Sequence, residues 1–279
     1  MELIVEFIKV IVLGIVEGFT EWLPVSSTGH MILLEHFLEL DVSEEFWNMF
    51  IVVIQLGAIL AVTLMYWNKL NPFDKKKDIY KRQEIWLLWT KIVVACLPSS
   101  LIGFFLDEWM DEHLYNGLIV SVTLVLYGLL FILIEDFNKK RQPVINNTNS
   151  VSYLTALYIG AFQVLALVPG TSRSGVTILG AMILGCSRSV SAEFSFFLGI
   201  PTMLGASLLK LVKFGLEYEG LEFFYLILGM VVAFFVSVYV IKFLLMWVKK
   251  YDFKIFGYYR IVLGIVVFIW FIISSLVGD

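Results

Sequence analysis

Glu17-Gly18-Phe19-Thr20-Glu21-Trp22-Leu23-Pro24-Val25-Ser26-Ser27-Thr28-Gly29-His30 sets two acids, a Ser-Ser-Thr run and a histidine inside strongly apolar flanks. A second polar island, Pro169-Gly170-Thr171-Ser172-Arg173-Ser174-Gly175-Val176-Thr177, interrupts another apolar stretch about halfway along the chain. Ionisable and hydroxyl-rich clusters are costly at membrane depth. They persist there only when they face protein or water, so each island marks a functional site.

The solvent follows from composition. Of 279 residues, 59% are hydrophobic and 16% charged, and mean hydropathy is +0.88. A soluble domain is about a quarter charged, so the chain is an all-α polytopic membrane protein. Spans of roughly 20 residues each fill most of its length and predict one integral membrane domain over 1–279. A net charge of -4 offers no basic surface for nucleic acid, which excludes that class of partner. Cys96 and Cys186 sit among apolar residues and read as small buried thiols. The start, Met1-Glu2-Leu3, lacks a basic n-region and a small-residue cleavage site, so it does not read as a removable signal peptide.

Apolar runs at 46–67, 85–106, 117–135, 194–212, 223–247 and 258–276 are each long enough to cross a bilayer. Trp67, Trp109, Trp247 and Tyr258 suit interfacial anchoring at their ends. The stretches 1–34 and 151–187 break instead into two short helical pieces at a Pro/Gly/Ser turn, the pattern of re-entrant hairpins. Lysine and arginine concentrate in 68–84, 136–143 and 248–257, which predicts a cytoplasmic location for those loops. Glu35 to Glu45 and Asp107 to Glu112 hold acids and no lysine or arginine, which predicts the exterior. By this count the first hairpin enters from outside and the second from the cytoplasm. Gly14-x-x-Glu17 matches Gly160-x-x-Gln163, and Leu23-Pro24-Val25-Ser26-Ser27 matches Val168-Pro169-Gly170-Thr171-Ser172 with a one-residue slip. The expected architecture is therefore an inverted repeat of six transmembrane helices and two hairpins: repeat one at about 1–135, a linker at about 136–150, and repeat two at about 151–279. In such folds the site forms between the repeats near the midplane. That architecture is equally the mark of a secondary transporter or lipid flippase, which stands as the alternative function class.

Glu17 and Glu21, four residues apart, project from one helix face. Two carboxylates in a small volume suit a hard divalent cation, Mg²⁺ or Ca²⁺. Ser26, Ser27 and Thr28 lie at a Pro-induced break, where hydroxyls cap free N–H groups. His30 lies within a turn of Ser27, close enough for the ring to take the hydroxyl proton and activate a nucleophile. The alternative is that His30 activates water and Ser27 serves as a ligand. In the second island, Gly170 permits close backbone approach, and Thr171, Ser172, Ser174 and Thr177 surround Arg173. Helix-start N–H groups and a five-donor guanidinium together make an anion cradle suited to phosphate.

Both islands, Glu17-x-x-x-Glu21 with Pro24-Val25-Ser26-Ser27-Thr28-Gly29-His30 and Pro169-Gly170-Thr171-Ser172-Arg173-Ser174-x-x-Thr177, resemble the two signature motifs of the undecaprenyl-pyrophosphate phosphatase family, also called the bacitracin-resistance protein family. The resemblance spans essentially the whole chain, with no departure in either motif. It implies a divalent-metal-dependent hydrolase of the bacterial cell membrane that removes the terminal phosphate of the C55 isoprenoid pyrophosphate carrier. On that reading Glu17 and Glu21 hold the metal, Ser27 attacks with His30 as base, and Arg173 with Ser172, Ser174 and Thr177 neutralises the transferring phosphoryl group. The polyprenyl pyrophosphate would reach the pocket from the exterior face, and a homodimer is allowed. A type-2 phosphatidic acid phosphatase fits less well, because its Lys-x6-Arg-Pro element is absent although Ser27-Thr28-Gly29-His30 resembles its central motif.

Overall fold

The computed structural model describes residues 2–114, 116–215 and 218–277. Met1, and the side chains of Asp107, Glu108, Asp111 and Glu112 that entered the exterior assignment, lie outside the described residues. The chain runs through α1 (Glu2–Thr20), α2 (Ser27–Phe37), α3 (Glu44–Val53), α4 (Gln55–Met65), α5 (Trp67–Leu70), α6 (Ile79–Leu114) and α7 (Gly117–Asn138). The second half holds α8 (Tyr153–Val164), α9 (Arg173–Ile183), α10 (Arg188–Phe214), α11 (Glu222–Trp247) and α12 (Lys254–Val277). Among the described residues, six stretches are long and apolar enough to cross a membrane: Glu44–Met65, Ile79–Leu106, Gly117–Asn138, Arg188–Phe214, Glu222–Trp247 and Lys254–Leu276. Each contains or overlaps one of the six expected runs. The pairs α1/α2 and α8/α9 are not among these stretches: α2, α8 and α9 have only 11 or 12 residues, and α1, at 19 residues, carries Glu2, Glu6, Lys9 and Glu17; each pair turns back at a polar tip.

The two tips use one device. Ser26 caps α2 from φ 73°, its Oγ accepting from Gly29 N at 3.2 Å, and Ser172 caps α9 from φ 74°, its Oγ accepting from Gly175 N at 3.1 Å. These are the positive-φ non-glycine residues among those described, and the serine cap satisfies a helix-start donor in return. The caps also correct the register of the repeat. Ser26 pairs with Ser172 at the same offset as Gly14 with Gly160 and Glu17 with Gln163, so the slip is confined to the prolines, Pro24 standing opposite Gly170. Ser27 and Arg173 are then equivalent first residues of their helices.

Helix packing exchanges the halves. Hairpin helix α1 lies on α11 of the second half, α8 lies on α6 of the first, and α7 lies along α12. The matched glycines permit this closeness. A Cβ on Gly14 would stand 2.9 Å from the Gly229 carbonyl oxygen, and one on Gly160 would meet the carbonyl of Ala95. The hairpin tips end inside the protein, where Trp22, Phe194, Phe196 and Phe197 are fully buried. The outer surface is apolar, with Phe104, Leu208, Phe235 and Val262 exposed as lipid-facing side chains require.

Ion pairs mark one end of the bundle. Lys69 meets Glu193 at 2.9 Å, Lys91 donates to Asn149 O at 2.8 Å, and Lys254 meets Asp136 at 2.5 Å. The first holds a basic loop to the start of α10, the second, a hydrogen bond, holds α6 to the segment that leads into the second hairpin, and the third joins the start of α12 to the end of α7. At the opposite end Lys9 bonds Glu6 at 2.6 Å and the Glu39 carbonyl, beside the base of the first hairpin. The hairpins therefore enter from opposite ends, as the loop charges predict.

Candidate active site at the meeting of the hairpin tips

A cavity of about 110 Å³ lies between the tips, walled by Glu21, Ser27, Thr28, Gly170, Ser172 and Arg173, with Gln55 and Met203 closing it. Glu21 sits just past α1, its N–H donating to Glu17 O at 3.0 Å. One carboxylate oxygen of Glu21 meets Arg173 Nη2 at 3.1 Å, and the other accepts from Ser27 Oγ at 3.1 Å. Two islands 152 residues apart thus share one acid. Arg173 is held further by Nη1 donating to Ser195 O at 2.9 Å on α10, and its guanidinium stands 5.7 Å over the Trp22 ring. Its Nε is buried without a hydrogen-bond partner.

His30 departs from the expected role. Its Nδ1 lies 2.7 Å from Ser26 O, which can only accept, so Nδ1 carries the proton. Nε2, 2.6 Å from the Tyr259 hydroxyl, then accepts from it. Both ring nitrogens are engaged, and Ser27 donates to Glu21 instead. The physical reason is local: Ser27 is the first residue of α2, where its hydroxyl points back toward the α1 end, while the ring one turn later faces α12. The Ser27–His30 pair read from spacing is not formed.

Several residues expected in the cradle serve instead to fasten it. Ser174 Oγ donates to the carbonyls of Glu21 (3.0 Å) and Leu23 (3.3 Å), binding one tip to the other. Thr177 Oγ1 donates to Arg173 O at 2.8 Å and meets Ser195 Oγ at 2.7 Å. Ser26, Thr171, Ser174 and Thr177 are buried and do not line the cavity. Glu17 is also buried behind the wall, and its Oε1 has no hydrogen-bond partner. Gly170 does line the cavity, at φ +83°, and a side chain there would strike Thr123 and the backbone of Val120.

Sequence reading missed Arg260. It is fully buried in α12, and it donates from Nη1 to Pro24 O at 3.3 Å and from Nη2 to Gly170 O at 2.8 Å and Thr171 O at 2.9 Å. One guanidinium thus grips both tips. A lone arginine inside an apolar span was the available signal, as was Gln55 in the middle of another. Tyr259 carried no signal in sequence, since its neighbour His30 is 229 residues away.

A second, largely apolar cavity of about 500 Å³ adjoins the first through Gln55, Ala166, Arg173 and Met203, and continues past Phe104, Gly205 and Leu209 between α6 and α10. A pocket lined by one arginine, one acid and several hydroxyls thus adjoins an apolar groove.

Comparison with known proteins agrees with this chemistry. A model of the bacitracin resistance protein BacA family matches residues 10–266. An undecaprenyl-diphosphatase of Enterococcus faecalis is 56% identical over 266 residues, covering 94% of this chain and 96% of that protein. One from Acetivibrio thermocellus is 56% identical, covering 96% of this chain and 98% of its own. One from Desulfitobacterium hafniense is 53% identical over 99% of both chains.

Proposed function

We propose a reaction for this chain from the premise that it belongs to the bacitracin resistance protein BacA family: it is a multi-pass membrane hydrolase that removes the terminal phosphate of undecaprenyl pyrophosphate, leaving undecaprenyl phosphate. The observation that carries the mechanism is Glu21 standing between Ser27 and Arg173, 3.1 Å from each. Arg173 takes the oxygens of the terminal phosphoryl group, with Ser172 and Thr28 as further polar neighbours in the wall. Ser27 Oγ attacks the terminal phosphorus, its proton passing to Glu21 Oε2. The Oγ–P bond forms as the bridging P–O bond breaks, and undecaprenyl phosphate leaves. Water then cleaves the phosphoserine. Oγ takes back the proton held by Glu21, and the water proton departs on inorganic phosphate. Positioning and charge stabilisation supply most of the acceleration in phosphoryl transfer.

His30 in this scheme holds the first turn of α2 against α12. The variant in which His30 activates water requires its bond to Tyr259 to break first.

The residues fit a hard divalent cation, Mg²⁺ or Ca²⁺. Glu17 Oε1 is a buried oxygen lacking a partner, a costly state that a cation relieves, and Glu21 follows one turn later. Glu17 and Glu21 would hold the ion, which when bound neutralises charge on the pyrophosphate. The isoprenoid chain leaves through the apolar groove beside Arg173 toward the bilayer. The first hairpin enters from the end opposite the basic loops, and the charge of those loops supports access from the exterior, periplasmic-side face.

Purified protein in micelles with Mg²⁺ should release inorganic phosphate from undecaprenyl pyrophosphate and, quenched during turnover, carry label on Ser27. No phosphate release, the behaviour of a pure carrier, overturns the reaction. Full turnover by Ser27→Ala overturns only the nucleophile.

A further inference from the structure

At the basic end, far from the hairpin tips, a cavity of about 690 Å³ lies among the ends of α7 and α11, the C-terminal end of α9 and the start of α10. Arg141, Arg188 and Lys249 line it together with Asn138, Ser187 and Ser189, and its wall contains no aspartate or glutamate. Arg188 is neutralised by buried Glu135, at 2.9 Å from Nε and 2.6 Å from Nη2. The nearby acids Asp136 and Asp252 lie outside the wall and face Lys139 and Lys254. Arg141 rests on the Phe137 ring at 3.9 Å, and neither Arg141 nor Lys249 makes an ion pair among the described residues. Asn138 Nδ2 is buried with no hydrogen-bond partner.

Loop charge that only sets topology needs no shared cavity and no exclusion of acids from its wall. Here two uncompensated cations and an unsatisfied amide donor line one cavity, a donor-rich set that calls for an anion. Beside Gln142 and Asn146 the wall has an apolar part that includes Met182, Ile183 and Val248, and the cavity sits where three spans end. We infer that it binds the phosphate group of an anionic ligand at the membrane interface, with Arg141 and Lys249 as the charge partners. The apolar floor suits the glycerol and acyl root of a phospholipid; free inorganic phosphate offers the same anion without that root.

The site is separate from the hydrolytic pocket, and its test is independent of that reading. The full chain in neutral detergent is titrated with short-chain phosphatidylglycerol, with phosphatidylcholine and with inorganic phosphate, for the native protein and for Arg141→Gln/Lys249→Gln. Both positions are exposed, so the fold should persist, and unchanged phosphate release from undecaprenyl pyrophosphate checks it. Phosphatidylglycerol affinity should fall at least tenfold in the double variant, while phosphatidylcholine binding stays weak in both. Displacement of the lipid by inorganic phosphate would assign the site to the free anion; failure to displace it would assign the site to the lipid head group. Equal affinity of both proteins for phosphatidylglycerol, or equal binding of the two lipids by the native protein, overturns the inference. Should the double variant lose activity, Lys249→Gln alone carries the same comparison.

Discussion

Replacing Arg260 by methionine removes a side chain that reaches from α12 to grip both hairpin tips. The substitution keeps an unbranched apolar stem of similar reach and deletes three donor contacts, to the carbonyls of Pro24, Gly170 and Thr171 at 3.3, 2.8 and 2.9 Å. Bonds from a charged donor contribute about 1.5–3 kcal/mol each. Against that sum stands the cost of keeping a guanidinium fully buried, several kcal/mol. The stranded carbonyls decide the balance, since a buried acceptor left alone costs about 1–3 kcal/mol. A net loss of about 3–5 kcal/mol follows, as for breaking a buried charged network, and it is a large share of a total stability of about 5–15 kcal/mol. Function should suffer beyond folding, because a displacement near 1 Å at the reacting groups costs about 100-fold in rate. Thermal unfolding in detergent should show a lowered midpoint, and the protein that remains folded should turn over about 100-fold more slowly, with Arg260→Lys in between. Native midpoint and native turnover in Arg260→Met would refute the idea that this residue joins the tips.

Three further outcomes test the site and its surroundings. A Cβ at Gly199 would lie 2.8 Å from Arg173 Cζ, so Gly199→Ala should push the guanidinium off Glu21 and lower kcat by about 10- to 100-fold with an unchanged gel-filtration profile; unaltered kcat would show that the guanidinium has room to spare. EDTA should abolish phosphate release and Mg²⁺ restore it, and Glu17→Gln should raise the Mg²⁺ concentration for half-maximal rate about tenfold, the loss of one charged ligand; an EDTA-insensitive enzyme removes the metal from the scheme. Burial pushes the Cys186 thiol up to about 11, so at pH 7 only about one molecule in 10⁴ is a thiolate. In a Cys96→Ala background, maleimide should label the folded protein barely at neutral pH, faster as pH approaches 11, and fully once the chain is unfolded; rapid labelling at pH 7 would place that thiol in solvent.

Legibility in the sequence tracked the physical range of each signal. The spans could be read because a helix satisfies its backbone locally and the bilayer demands about 20 apolar residues. Both tips could be read because a proline, a glycine and a serine cap act within a single turn. Arg173 with Glu21 was reachable as well, since charge at membrane depth requires a partner and the chain offers few. The Ser27–His30 pair failed for a different reason. Spacing of three residues along a helix fixes the distance between Cβ atoms but not which neighbour each side chain meets, and Glu21 and Tyr259 lie nearer in space.

Residue types and their periodicity alone determined the membrane solvent, the six crossings, the two half-crossings and their opposed entry, because each depends on apolar length, on loop charge or on local turn chemistry. Only the packed structure decided that Ser174 and Arg260 fasten the tips while Glu21 joins Ser27 to Arg173. The bonds that cross from one tip to the other, or from α12 to both, span 89 to 236 residues, and a hydrogen bond of that span leaves no pattern along the chain.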